Sequence, residues 1–326
     1  LIDCGTVASQ QMGRRPNELR VNGTENLVAV ISWRRARLDI ALITADNKIA
    51  FRDQIPLTEE EDKVDKITST FFNIMKPKVG DRRIMGLCII IPGIIDAENK
   101  RILSTVIGVG YSDPVVQRFE EAFHDYPFCL LNDTACFAYA EYVFANITEP
   151  NFAYINVSKG VGACLFANGK MLRGAGSNAT QFGHFSIDRN GPLCACGNHG
   201  CVERVVGENA LKERAEACGI DLTRFAGRKP LYCDIGAMAE DGDAHAKELI
   251  KDLAVDLSFA ISNLITLFNP SLVVIGGMGV NLGPFFLSNI RDEVQNSGFK
   301  EFVSNTWIQY STLGLDSELE IGRAHV

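Results

Sequence analysis

Apolar and polar positions follow two periods along this chain. Leu27 to Ile31 and Asp39 to Thr44 are short apolar runs joined by the turn Ala45-Asp46-Asn47-Lys48, and Ile49 to Arg52 follows as a third run, which predicts a three-stranded meander. Asp62 to Met75 changes to a helical period, with Val64, Ile67, Phe71, Phe72 and Met75 apolar, before the buried-strand run Ile84 to Ile91, which Pro92-Gly93 ends. Helices are expected at Val115 to Phe123 and at Thr134 to Phe144, around a short strand at Phe128 to Leu131 that runs into Asn132-Asp133. A second meander is expected at Phe152 to Val157, Val161 to Ala167 and Lys170 to Leu172, with Asn168-Gly169 as a tight hairpin turn. The chain therefore starts one topology twice, near residues 27 and 152, which points to two related α/β lobes with a cleft suited to a small ligand.

Further along, Ala244 to Leu267 reads as a long helix, stopped by Asn269-Pro270. The buried strand Leu272 to Ile275 then runs into Gly276-Gly277. That glycine pair reads equally as a plain turn and as a place where backbone approaches a nucleotide.

Composition narrows the function classes. With 326 residues, 46% hydrophobic and 22% charged, the chain has material for two lobes. A net charge of −8 argues against an extended phosphate-binding surface, so DNA contact is expected from another segment. The longest apolar runs fall far short of the roughly 20 residues a membrane helix needs. No membrane association is expected. The opening residues lack the basic and apolar regions of a secretory signal, and the first residue is Leu, so the chain reads as cut from a longer cytoplasmic protein. Of ten cysteines only three cluster, which favours metal ligation over a disulfide framework.

Those three are Cys194, Cys196 and Cys201, in Cys-Ala-Cys-Gly-Asn-His-Gly-Cys-Val-Glu, with His184 ahead of them. Three thiolates and an imidazole form a closed tetrahedral set for Zn²⁺, structural because no position is left for water. His199, inside the loop, competes with His184 as the fourth ligand.

Gly183-His184 and Cys194-x-Cys196-Gly-x-x-Gly-x-Glu203 resemble the signature of the ROK family (repressors, open reading frames and kinases). Pro92-Gly93-Ile94-Ile95-Asp96, Asn132-Asp133, Gly160-Val-Gly162, Asn168-Gly169, Arg173-Gly174-Ala175, Asn269-Pro270 and Gly276-Gly277 extend the resemblance in order, from about residue 13 to the end. It implies a two-lobed, actin-like and hexokinase-like ribonuclease-H fold with a structural zinc loop. It also implies zinc on His184, Cys194, Cys196 and Cys201, with His184 and Glu203 facing a sugar as well.

Two departures point to the repressor branch. Where kinases of the family carry Asp-x-Gly-Gly-Thr to cradle ATP phosphates, this chain has Ser32-Trp33-Arg34-Arg35-Ala36. ATP-Mg²⁺ is therefore not expected, and neither is enzyme activity. Gly13-Arg14-Arg15-Pro16 and Leu19-Arg20-Val21-Asn22 resemble the segment that joins a winged helix-turn-helix to the sensory lobes, and Leu1-Ile2-Asp3-Cys4 a remnant of that domain. The pocket departs from the family's glucose pattern at Gln181, where glutamate is usual, and at Val106, where asparagine is expected.

The resulting expectation is the sugar-sensing and oligomerisation region of a ROK-family transcriptional regulator of carbohydrate metabolism, a homodimer or homotetramer that meets operator DNA through the missing domain. Residues 1–23 form the wing remnant and linker. Residues 24–133 form an N-terminal lobe, to which a helix at about 312–326 returns, and residues 134–311 a C-terminal lobe with zinc loop 184–203. Asn132, Asp133, Gln181, His184 and Glu203 are the expected sugar contacts. The alternative is a sugar kinase of the same family, in which Asp133 would be the general base. In either case Asp133 could instead cap the helix that follows it.

Overall fold

The computed structural model describes residues 2–6, 17–20, 23–34, 36–46, 48–96, 101–105, 114–145, 147–175, 179–225 and 231–314. The chain divides into two compact units between Cys136 and Phe137.

The first unit opens with an antiparallel pair, β1 (Ile2–Thr6) and β2 (Asn17–Arg20). Its main sheet has β3 (Asn26–Trp33), β4 (Arg37–Thr44) and β5 (Ile49–Pro56) as an antiparallel meander. Helix α1 (Lys63–Thr70) leads to β6 (Arg83–Ile91), and β7 (Gly93–Asp96) and β8 (Arg101–Thr105) form a small hairpin. Helix α2 (Val115–Ala122) then returns the chain to β9 (Phe128–Asn132), and α3 (Asp133–Phe144) leaves it. The strand order is β5-β4-β3-β6-β9, with β6 parallel to β3 and β9 parallel to β6.

Alternate residues of the inner strands build the core, as the two-residue period of a strand requires. Leu27, Ala29, Ile31 and Trp33 of β3 and Leu87, Ile89 and Ile91 of β6 pack in one cluster with Val64, Ile67, Phe71, Phe119 and Phe123. Burying an aliphatic side chain of this kind is worth about 1.5–3 kcal/mol. The helical period at 62–75 is only partly α-helical: Asp62 caps α1, but Phe71–Met75 is a π turn and Lys76–Lys78 a 3-10 turn. Pro77 explains the change, since it has no N–H for an α-helical bond and its ring crowds the preceding turn.

The second unit repeats the plan. β10 (Phe152–Val157), β11 (Val161–Ala167) and β12 (Lys170–Met171) form the meander. Helices α4 (Val202–Val206), α5 (Glu208–Ala217), α6 (Leu231–Glu240) and α7 (Ala244–Phe268) precede β13 (Leu272–Gly276), and α8 (Gly283–Gln295) and α9 (Lys300–Asn305) precede β14 (Trp307–Tyr310). The order β12-β11-β10-β13-β14 is the first unit's order again, with β13 parallel to β10 and β14 to β13. Leu249, Leu253, Leu257 and Ile261 of α7 pack with Ala153, Ile155, Val273 and Ile275 on one face of the sheet. Phe137 and Ala138 of α3 pack with Phe152, Tyr154 and Val274 on the other. Asn269 ends α7 in a left-handed conformation, φ 49°.

Several elements carry no strong signature in the sequence: both two-stranded pairs, α5, α6, α8, α9 and β14. Val106, Gly13-Arg14-Arg15-Pro16 and nearly all of the helix expected at about 312–326 lie outside the described residues, and Thr312–Gly314 within them is not helical.

Candidate metal centre and sugar site

The metal centre starts from a short 3-10 turn, Phe182–His184, that positions the imidazole. From there the chain runs into a loop held by backbone bonds from Ile187 N to Gly200 O and from Cys194 N to Asn198 O, at 2.9 and 2.8 Å. Gly200 sits at φ 59°, and a Cβ there would lie 1.8 Å from the Asp188 carbonyl, so the loop closes only with glycine. The closure brings Cys201 to the start of α4, where its Sγ lies 3.4 Å from the His184 carbonyl.

The ligand atoms of His184, Cys194, Cys196 and Cys201 all lie within 4.8 Å of one another. His184 Nδ1 is 3.6 Å from Cys194 Sγ, and Cys196 Sγ is 3.6 Å from Cys201 Sγ. Zinc bonds of about 2.1 Å to nitrogen and 2.3 Å to sulfur, set at tetrahedral angles, require ligand separations of about 3.6–3.8 Å. The donor set suits Zn²⁺, and these two separations already match it. His199 is turned away: its Nδ1 lies 3.0 Å from the Gly191 carbonyl, and the ring is exposed. Of the two candidates for the fourth position, His184 is the one grouped with the thiols.

Asn132 and Asp133 end β9 and begin α3 in the first unit. Asn132 has two structural bonds: Nδ2 donates to the Gly93 carbonyl at 2.6 Å, and Oδ1 accepts from Ala135 N at 3.1 Å. The second bond makes Asn132, not Asp133, the residue that caps α3. Gly93 has φ 151°, a backbone that side chains rarely adopt, and so the Pro92-Gly93 turn can present its carbonyl to Asn132. Asp133 accepts from Thr134 N (2.7 Å) and Thr134 Oγ1 (3.4 Å), both on Oδ1. Burial pushes its carboxyl up from the usual value, opposed by the Thr134 bond and by the charge of Arg34.

Arg34 was not among the sequence-derived site residues. It follows β3, and its Nε is 3.3 Å from Oδ2 of buried Asp39, whose Oδ1 is 2.8 Å from Arg37 Nε. Ser32 and Trp33 are buried, and Arg34 N donates to Arg37 O at 2.9 Å to close the hairpin. The segment is thus a tight turn in which Arg34 and Arg37 pair with Asp39. Arg35 lies outside the described residues.

In the second unit, Glu203 stands on α4, and its Oε2 accepts from Val161 N at 3.4 Å, at the start of β11. Gln181 is exposed and lines a pocket of about 230 Å³ with Phe182, Phe185, Leu264 and Leu267. Gly276-Gly277 meets the turn after β10: Met278 N donates to Ser158 Oγ at 3.1 Å, Ser158 Oγ donates to Asn156 Oδ1 at 3.0 Å, and Tyr232 OH donates to the Ser158 carbonyl at 2.7 Å. A Cβ on Gly276 would meet the Tyr154 hydroxyl at 2.1 Å, and one on Gly277 the Asn156 side chain at 2.1 Å, so both positions are closely packed.

No helix among the described residues is long and apolar enough to cross a membrane. The chain is similar to the xylose repressor of Bacillus spizizenii, 28% identical over 232 residues, which is 71% of this chain and 58% of the repressor's length. Its fold matches the crystal structure of a ROK family transcriptional regulator, a homolog of the E. coli MLC protein, with a TM-score of 0.83 at 23% identity, covering 95% of this chain and 80% of that one. It also matches a ROK family glucokinase from Streptomyces griseus in complex with glucose and AMPPNP, with a TM-score of 0.76 at 22% identity over 91% of this chain and 98% of the glucokinase. The fold is thus the hexokinase-like, actin-like α/β architecture. Residues 32–319 match the ROK family as a whole, and the chain belongs to that family.

Proposed function

We propose that the chain is the sugar-sensing and oligomerisation region of a ROK-family transcriptional regulator of carbohydrate metabolism, with a structural zinc and without kinase activity. The observation that carries this reading is the turn after β3. There Arg34 and Arg37 pair with buried Asp39, in the segment that by resemblance corresponds to the glycine turn of the family's kinases. A nucleotide held there would have to open a turn closed by these charge pairs.

The sugar reading rests on the retained polar groups. Asp133 has both its hydrogen bonds on Oδ1, which leaves Oδ2 to accept from a sugar hydroxyl, while Asn132 holds the turn in shape through Gly93. His184 and Glu203 would add an imidazole and a carboxylate, and Gln181 an amide. Zn²⁺ on His184, Cys194, Cys196 and Cys201 would fix the loop that carries Glu203. Asp133 then serves as an acceptor, with no proton transfer required of it.

The similarity to a xylose repressor supports a role in regulation. In the longer protein, a winged helix-turn-helix ahead of this region would contact the operator, and sugar binding would shift the balance between two states of unequal operator affinity. Operator half-sites are read by dimers. On α7, Val255, Phe259 and Leu267 are exposed at multiples of four residues, Leu267 at 89%, a ridge suited to packing on a second copy. Titration calorimetry with D-xylose, D-glucose and N-acetyl-D-glucosamine tests the sensor: one sugar should bind, and Asp133→Ala should remove its heat while leaving the fold intact. Absence of binding by all three would count against these sugars as effectors, and retained binding in Asp133→Ala would remove Asp133 from the site.

A further inference from the structure

The carboxyl ends of β3, β6 and β9 lie side by side, since Ser32 pairs with Ile90 and Ile91 with Asn132 in parallel register. In open α/β sheets ligands collect outside the carboxyl ends of the strands. Three short segments leave these ends: Arg34 after β3, Pro92-Gly93 after β6 and Asp133 after β9. Two of the three carry opposite charges.

Arg34 is fixed from behind. Asp39 on β4 is buried, and its two oxygens hold Arg34 Nε at 3.3 Å and Arg37 Nε at 2.8 Å. A carboxylate this deeply placed needs such partners, and it restricts where the Arg34 guanidinium can go. On the other side, Arg34 is close enough to Asp133 for its charge to act on that carboxyl. Arg34 and Asp133 follow β3 and β9, two places apart in the sheet, a backbone separation of about 10 Å.

We propose that Arg34 is a positioning residue of the sugar site, anchored by Asp39 and holding the Asp133 carboxylate in place as the acceptor for a ligand hydroxyl. The sugar consequence rests on the sensor reading above, but the coupling between Arg34 and Asp133 does not require it. A cation fixed at this point offsets the cost of keeping Asp133 charged away from water, which a neutral side chain could not do. The charge of Arg34 thus has a use in a turn that no longer suits phosphate.

A double-mutant cycle reads the coupling without any sugar. The chain has two tryptophans, so a Trp307→Phe background leaves buried Trp33 as the reporter of unfolding in the first unit. In that full-length background Arg34→Met, Asp133→Asn and the double variant are unfolded in urea at pH 7, with Arg34→Lys as the conservative variant. Arg34→Met should shift the unfolding constant by about five- to tenfold more when Asp133 is present than when it is Asn, and Arg34→Lys should recover part of that difference. The extra shift should shrink as the buffer is taken down through the Asp133 titration. Among the described residues, the charged neighbours include Asp39 with Arg37 and Asp96 with Arg101, and they are common to both arms of the cycle. Equal shifts in the two backgrounds would overturn the proposal. If the coupling is found but no sugar binds, the sensor reading fails and the positioning role stands.

Discussion

The side-chain amide of Asn132 donates to the carbonyl of Gly93 at 2.6 Å and thereby ties the end of β9 to the start of β7. The same amide accepts from Ala135 N and caps α3, so one side chain fixes both the turn and the helix that flank Asp133. Asn132→Ala should destabilise the first unit by about 1–2 kcal/mol, and Asn132→Asp, which keeps the cap oxygen but loses the donor, by less. Chemical unfolding of the two variants checks the order.

Asp133 should behave oppositely. Burial raises its folded pKa, so its contribution to stability is full below the ordinary carboxylate value of 3.8 and is lost as pH rises through the raised value. At neutral pH the charged group therefore costs stability despite Arg34. Asp133→Asn, which stays neutral, should match or exceed the parent in thermal stability at pH 7 and fall level with it in acid. A melting series from pH 4 to pH 7 shows the trend.

A chelator should lower the melting temperature by at least about 5 °C, with recovery on added Zn²⁺, because a closed ligand set stabilises only the folded loop. Elemental analysis should find one zinc per chain. Cys196→Ser should reduce the zinc content, and His199→Ala should leave it unchanged, since His199 is engaged with Gly191.

Much of this was readable in the sequence. The repeated meander stands out because β3 and β10 are mostly apolar and the hairpins that follow carry turn residues. The candidate metal ligands stand out because few chemistries place three cysteines within eight residues. Two things were not legible. The pairing of Arg34 with Asp39 depends on a hairpin register that brings a residue five positions on back to the turn. The use of Asn132 as cap and tie depends on Gly93, thirty-nine residues away. Long-range backbone carbonyls leave no mark in residue type, so the sequence offers Asn132 as a ligand contact without showing that its amide also holds the turn and the helix.

Acid should also release a smaller contact. Arg118 bonds to Asp62, the cap of α1, and holds its carboxyl down at about 2, below its ordinary 3.8. The lowered value stabilises the fold above pH 3.8, and the benefit is lost as pH falls through about 2. Asp62 is half exposed, so Arg118→Ala should cost no more than about 1 kcal/mol at pH 7, and less as the buffer approaches pH 2. Unfolding midpoints of the two proteins across that range test it.

On α7, the double variant Phe259→Lys with Leu267→Lys should convert a dimer to monomers without lowering stability, since both side chains are exposed in the single chain. Sedimentation velocity at micromolar concentration distinguishes the two species. A parent that sediments as a monomer would remove the ridge from consideration.

The central claim is that this hexokinase-like chain senses a sugar without phosphorylating it. The most direct measurement is thermal unfolding against D-xylose, D-glucose and N-acetyl-D-glucosamine, each with and without ATP-Mg²⁺, alongside a coupled ADP-release assay on the same samples. The account predicts a stabilising shift with one sugar, no further shift with ATP-Mg²⁺, and ADP release at the level of the buffer control. Sugar-dependent ADP release would contradict it and make Asp133 a catalytic base.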